Sequence, residues 1–372
     1  MTGRRSAGNS RTWSVGSWVK GFFLAGALLL TSCALHPGAE LKQSSLGFNR
    51  ALQHSLAEQM ILNLVRLRYG EPPVFLEVTS ISTQYGFSGD LSAGARVNEA
   101  YPDSYSFGLG FSYAVKPTFT FVPLQGEEFA RRLLSPIPVE HLVLLLNSGW
   151  RVDRVLRLCV QGLNGVPNAP TASGPTPSKP PRFETFLRVS RALENLRRHG
   201  YLRFVFLERE GRAFPALLIS PEARDLAETR EVLRLLRLTR ASYYPLVGPE
   251  AEPGPDRIRV ETRSLIGVLF YLSQGVEVPE RDVAEGRVVL TRLPDGRPFD
   301  WKRVLGDLFR VRESSTFPSG ALLAVHYRGR WFYLSDTDPS TKATFVLLQQ
   351  LFALEASKGK GLSPLLTLPV GS

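Results

Sequence analysis

The most regular feature of the chain is a pair of stretches in which apolar and small polar residues alternate with a period of two. From position 104 to 115 the odd residues are Tyr105, Phe107, Leu109, Phe111, Tyr113 and Val115, and every even one is Ser, Gly or Ala. From position 84 to 97 one set holds Tyr85, Phe87, Leu91, Ala93, Ala95 and Val97, the other Gln84, Gly86, Ser88, Asp90, Ser92, Gly94 and Arg96. Successive strand side chains point to opposite faces, so the pattern predicts two antiparallel strands sharing one apolar face. The connection is expected at 98–103, and residues 74–122 as a whole read as strand.

Elsewhere the dominant period is helical. Phe48, Leu52, Leu56, Met60, Leu64 and Leu67 follow a polar tether at 33–46, and Gly70 with Pro72 and Pro73 stops that helix. Short helices are predicted at 127–134, 139–147 and 152–163, the last with Cys159 on a stripe with Val152, Val155 and Leu163. Residues 165–181 contain six prolines and few apolar side chains, which predicts a linker between domains at 47–164 and 182–357. Beyond it come a helix closed by Gly200, a hairpin turning at Glu210-Gly211, and a helix opened by Ser220-Pro221-Glu222 and ending near Leu238. A strand at 258–262, a helix at 265–274, a hairpin turning at Arg328-Gly329 and a helix at 339–356 capped by Asp338 complete the pattern, before a tail at 358–372. The expected fold class is α+β, with an N-terminal helix, a long antiparallel hairpin and short helices preceding a mixed α+β domain.

The first 32 residues form a different kind of segment. Arg4, Arg5, Arg11 and Lys20 lack any acidic neighbour, and the apolar run at 21–30 is half the roughly 20 residues a membrane-spanning helix needs. The run ends in Leu30-Thr31-Ser32-Cys33, which resembles the lipobox of bacterial lipoproteins. That resemblance implies a signal peptide at 1–32, a diacylglycerol on Cys33, acylation of its new amine by a chain such as palmitate, and Cys33 as first mature residue. Several acyl chains, at about 0.8 kcal/mol per buried methylene, make a durable anchor. Ala34 in place of Asp implies sorting to the outer membrane, facing the periplasm.

Composition fits that address. The 372 residues carry a net charge of +11, 43% are apolar and two are cysteine, which excludes a disordered polyelectrolyte and a disulfide scaffold. Without the signal segment the net charge is +7, and outside the cytoplasm its partners are acidic lipid headgroups or envelope polyanions, with nucleic acid not expected. Lipidation of Cys33 leaves Cys159 as the one free thiol, expected to pack as a small hydrophobe.

Candidate chemistry is sparse. The histidines at 36, 54, 141, 199 and 326 show no metal-ligand spacing, no phosphate-binding loop or nucleophile elbow occurs, and no cofactor is expected. Glu127-Glu128 opens a helix closed by Arg131-Arg132, which the helix dipole explains. Asp336, with His326, is the first acid/base pair to consider, while Asp338 is accounted for as a cap. Arg230, Arg234 and Arg237 form a basic stripe suited to an anionic partner. The run Trp331-Phe332-Tyr333 must point to both faces of a strand, so either both faces are covered or one ring is a contact surface.

The alternating hairpin stays open to two readings. It can be half-buried in a soluble domain, or it can resemble transmembrane β-strands, which need about 9–11 residues with aromatic girdles. One hairpin leaves unpaired edges, so the second reading requires several copies, with Tyr85, Phe87, Leu91, Tyr105, Phe107, Leu109, Phe111 and Tyr113 as contact residues. The segments LNLVRLRYGEPPVFLEV, PTFTFVPLQGEEFARRLL and WFYLSDTDPSTKATF are similar to bacterial lipoproteins of an uncharacterised family, a resemblance that implies location and no activity. The expectation is a non-catalytic, lipid-anchored assembly subunit; the alternatives are an envelope enzyme acting on polysaccharide or peptidoglycan, and a binding module for acidic lipid.

Overall fold

A computed structural model of the chain describes residues 37–96, 104–175, 177 and 179–356. The chain divides at Ser55/Leu56. In the first unit the described residues belong to helix α1 (Pro37–Arg68), which continues into the second. The tether therefore yields to helix from Pro37 onward, because a proline at the first turn followed by Ala39, Glu40, Leu41 and Lys42 favours it. All that follows concerns the unit from Leu56.

In chain order α1 leads into β1 (Leu76–Arg96) and β2 (Ser104–Pro123), then α2 (Glu127–Leu134), α3 (Val139–Asn147) and α4 (Val152–Cys159). β3 (Val160–Leu163), β4 (Val166–Pro167), α5 (Glu184–Arg198), β5 (Leu202–Arg209), β6 (Arg212–Ile219), α6 (Ala227–Leu236), β7 (Tyr243–Val247) and β8 (Ile258–Thr262) follow. The chain then passes through α7 (Leu265–Ser273), α8 (Glu280–Ala284), α9 (Lys302–Leu305), β9 (Arg312–Ser314), β10 (Ala321–Tyr327), β11 (Arg330–Ser335) and α10 (Pro339–Ala356). The fold is α+β: a six-stranded sheet ordered β4-β3-β8-β7-β6-β5, a three-stranded sheet ordered β10-β11-β9, and the two-stranded β1–β2 ribbon. Among the described strand pairs β7–β8 alone is parallel, the others antiparallel.

Local chemistry explains the hairpins and caps. The β5–β6 turn has Glu210 and Gly211 at φ 54° and 74°, and the β10–β11 turn has Arg328 and Gly329 at 50° and 77°, the left-handed pair that a tight hairpin requires. Asp338 caps α10, accepting from the Thr341 amide at 3.0 Å and from its hydroxyl at 2.7 Å. α7 is apolar nearly all round, and Leu265, Val268, Leu269, Tyr271 and Leu272 are buried.

Three expectations need revision. Residues 165–181 do not divide two bodies: the unit runs unbroken from Leu56, β3 pairs with β8 from the far side of the stretch, and Ala169 and Ala172 are fully buried. Its prolines instead serve β4 and the 3-10 turn Pro170–Ser173. The expected helix from Ser220 is a 3-10 turn at Pro221–Ala223 followed by α6, because Leu226 is extended (ψ 150°) and packs on the core. The expected helix at 152–163 stops at Cys159, beyond which β3 enters the sheet.

The body is pinned by a buried arginine that no sequence pattern announced. Arg263 is 1% exposed and lies 4.0 Å from the Tyr271 ring centroid. Its Nη1 donates to the carbonyls of Arg157 (3.1 Å), Leu158 (3.3 Å) and Val160 (2.5 Å), its Nη2 to the Asn168 carbonyl, and its Nε to Ser173 Oγ at 3.0 Å. The cation thus closes the C-terminus of α4 and joins it to β3, the β4 loop and the 3-10 turn. Burial lowers its pKa to about 10, so it stays charged at neutral pH. The Cys159 thiol is fully buried; burial pushes it up to about 12, against the opposing pull of Arg263. Arg263→Met is expected to cost at least about 3 kcal/mol in urea unfolding, since each stranded carbonyl costs about 1–3 kcal/mol; an unchanged midpoint would refute the role given to it.

Candidate functional site

The β1–β2 ribbon runs in unbroken antiparallel register from Leu76 opposite Pro123 to Arg96 opposite Ser104, with one shift between Val78 and Ser80. That shift preserves the pattern. Leu76 and Val78 are even-numbered, whereas Ile81, Tyr85 and Phe87 are odd, so a regular strand would send the two groups to opposite faces. A bulge at Thr79 adds the one residue that restores the phase. The register then pairs Tyr85 with Val115, Phe87 with Tyr113, Gly89 with Phe111, Leu91 with Leu109, Ala93 with Phe107 and Ala95 with Tyr105. The other face pairs small positions: Gly86 with Ala114, Ser88 with Ser112, Ser92 with Gly108 and Gly94 with Ser106.

At about 3.3 Å per residue, 21 residues give a ribbon roughly 70 Å long, several times an ordinary strand. Among the described residues no third strand joins it. The expected connection, including Val97, lies outside the described residues. So does Cys33.

The root of the ribbon is held by a convergence of polar contacts. Asn63, 2% exposed on α1, donates from Nδ2 to the Val74 carbonyl at 2.7 Å and accepts from the Val74 amide at 3.0 Å. The carboxamide thereby imitates a neighbouring strand. One residue later the Leu124 amide donates to the Phe75 carbonyl at 2.9 Å, extending the ladder beyond both strands. Tyr69 donates to Asp282 at 2.5 Å, and Asp282 also accepts from Arg287 at 3.0 Å. Burial and that carboxylate raise the Tyr69 pKa. Glu71 accepts from Tyr327 and from Arg328 (2.9 Å), whose hydrogen bonds hold its carboxyl below the usual range. The Arg328 guanidinium also lies 5.2 Å from the Tyr69 ring centroid.

Beside these contacts lies an apolar cavity of about 610 Å³, lined among others by Leu67, Phe75, Phe129, Leu133, Ile266 and Phe270. Its size falls within the range of ligand pockets. Phe75 meets Phe129 at 5.8 Å and Phe352 of α10 at 5.0 Å between ring centroids. Around the root Val74, Phe121, Val122 and Leu134 are 47, 41, 45 and 65% exposed, an unusual grouping of large apolar side chains.

The remaining candidates are placed elsewhere. Arg230 and Arg234 are exposed on α6; Arg237, also exposed, follows it in a left-handed conformation (φ 55°) and so leaves the helical stripe. His326 stands opposite Trp331, whereas Ala321 stands opposite Ser335, so His326 and Asp336 lie at opposite ends of the β10–β11 hairpin, roughly 17 Å of strand apart. Asp336 pairs with Lys342 at 2.6 Å, and the His326 ring packs on Trp331. The acid/base pair is therefore not assembled. Phe332 is fully buried, while Trp331 is half-buried against Phe317 at 5.0 Å. Glu127 and Glu128 pair with Arg131 and Arg132. His141 meets Glu355 at 2.5 Å, joining α3 to α10.

Sequence reasoning missed Asn63, Tyr69, Glu71, Asp282 and Arg328. The one available signal was Asn63, a polar residue amid the apolar positions Ile61, Leu64 and Val65. A scan against protein-family models, a search of curated proteins and a search of solved structures each returned no match. Asn63→Leu is expected to speed hydrogen exchange at the Val74 amide and to lower stability by about 1–3 kcal/mol for each of the two backbone groups it leaves unpaired. Unchanged exchange there would show that Asn63 does not hold the root.

Proposed function

We propose that this protein is a non-catalytic, lipid-anchored subunit of the bacterial outer membrane, tethered through acylated Cys33, which donates its β1–β2 hairpin to an oligomeric sheet or pore. The observation that carries the reading is a ribbon that no third described strand joins, in which the large apolar positions of 85–91 and 105–115 share one face by register. A two-stranded hairpin of this length is marginal in water on its own, because half of its amides and carbonyls point away from the partner strand and one of its faces is apolar. Side-by-side association of copies satisfies both demands at once: β1 of one copy pairs with β2 of the next, and closure leaves no edge.

The dimensions suit a bilayer. The band from Tyr105 to Val115 contains 11 residues with tyrosines at Tyr105 and Tyr113, while Ser, Gly and Ala occupy the opposite face, where a lumen needs small or polar groups. The proximal part, 76–83 with 116–123, lies outside that band and continues the ribbon to the clamped root. No described helix is long and apolar enough to cross a membrane, so membrane contact in this reading rests on the acyl chains and the hairpin.

The native, lipidated protein extracted in mild detergent is expected to give one discrete oligomer by size exclusion with light scattering. The Phe107→Asp/Phe111→Asp variant should run as a monomer with the unfolding midpoint of its body unchanged. A monomeric native protein, or an oligomer of unaltered size in the variant, would overturn the proposal.

A further inference from the structure

The cavity beside the ribbon root and the chain beyond α10 fit one another. α10 packs on α2, and its Phe352 sits against Phe75, a lining residue of the cavity. The last described residue, Ala356, follows one turn later. Beyond it come a five-residue spacer, Ser357-Lys358-Gly359-Lys360-Gly361, and then Leu362-Ser363-Pro364-Leu365-Leu366-Thr367-Leu368-Pro369-Val370. Five residues reach up to about 17 Å, enough to carry the apolar stretch from the end of α10 to a cavity whose wall α10 already touches.

The chemistry of the two parts agrees. The segment presents four leucines and a valine, free of charge between 362 and 370, behind a spacer that holds both lysines. Leu67, Phe75, Phe129, Leu133, Ile266 and Phe270 make the cavity mostly apolar; of its polar lining, Gln125 and Glu71, the carboxylate is already engaged by Tyr327 and Arg328. Pro364 and Pro369 each have a fixed φ, which reduces the entropy that docking of this segment would cost.

We propose that residues 362–370 dock into this cavity, so that the C-terminal segment straps α2 and α7 to the root of the hairpin. The proposal goes beyond the assembly reading and does not require it. Docking covers Phe129, Leu133 and Phe270 and adds contacts to the segment 71–75 that Asn63 also holds, so occupancy of the cavity stiffens the point where the ribbon joins the body.

The test is site-specific photo-crosslinking in the full-length protein, with benzoylphenylalanine replacing Leu366 and the crosslinked peptides identified by mass spectrometry. Crosslinks within one chain to 129–133 or 266–270 are expected, together with their loss in Leu362→Asp/Leu365→Asp. Crosslinks to other surfaces, or between chains, would overturn the proposal, as would their survival in the double variant. A second measurement uses an apolar fluorescent dye on the intact protein and on a chain ending at Ala356, with unfolding midpoints checking that both fold. Dye fluorescence should rise at least two-fold on truncation and fall back when an added 362–370 peptide competes; equal fluorescence in the two forms would contradict it.

Discussion

An antiparallel ribbon of two strands can satisfy only its inner hydrogen bonds. Each strand of β1–β2 turns alternate amides and carbonyls toward its partner and the rest toward an edge that no third described strand pairs. Twenty residues of such edge, combined with an apolar face that a bulge at Thr79 keeps continuous, form the constraint around which the rest of the protein is arranged. The body holds the ribbon's base. Asn63 stands in for a third strand at Val74, and Tyr69 with Asp282, and Glu71 with Tyr327 and Arg328, fasten the turn between α1 and β1 to the C-terminal half of the chain.

That division of labour explains where polar groups are buried. Arg263 gathers four backbone carbonyls and a serine hydroxyl in place of a carboxylate, so a full charge is retained in the interior to close a helix end and to set the angle between α4 and the sheet. The same residues tie the Pro-rich stretch into the sheet. A base fastened in this way is what the proposed assembly role requires, since a strand pair offered to neighbours needs a fixed origin.

Much of the local structure could be read from the chain. The period-two alternation located both long strands and the correct partition of faces, because register inherits the hydrophobic pattern; the Glu210-Gly211 and Arg328-Gly329 turns and the Asp338 cap followed from backbone chemistry at single residues. What could not be read is long-range. Asn63 and Val74 are close in sequence, but Tyr69 with Asp282 and Arg263 with Asn168 join positions about a hundred or more residues apart, and no periodicity encodes them. The proline-rich stretch misled because its few apolar residues, Ala169 and Ala172 among them, are small and yet fully buried. β7, interrupted by Pro245, lacks strand alternation and owes its place to pairing with β6 on one side and β8 on the other.

The central claim is that the outer edges of the ribbon find partners in other copies of the chain. Amide hydrogen exchange of residues 84–115 in the membrane-extracted protein tests it most directly, because a lone ribbon protects only the inward half of its amides whereas a closed sheet protects both halves. The account predicts slow exchange at inward and outward amides alike in the detergent-solubilised native protein, with the outward set turning fast in the Phe107→Asp/Phe111→Asp variant. Fast exchange of the outward amides in the native protein would contradict it.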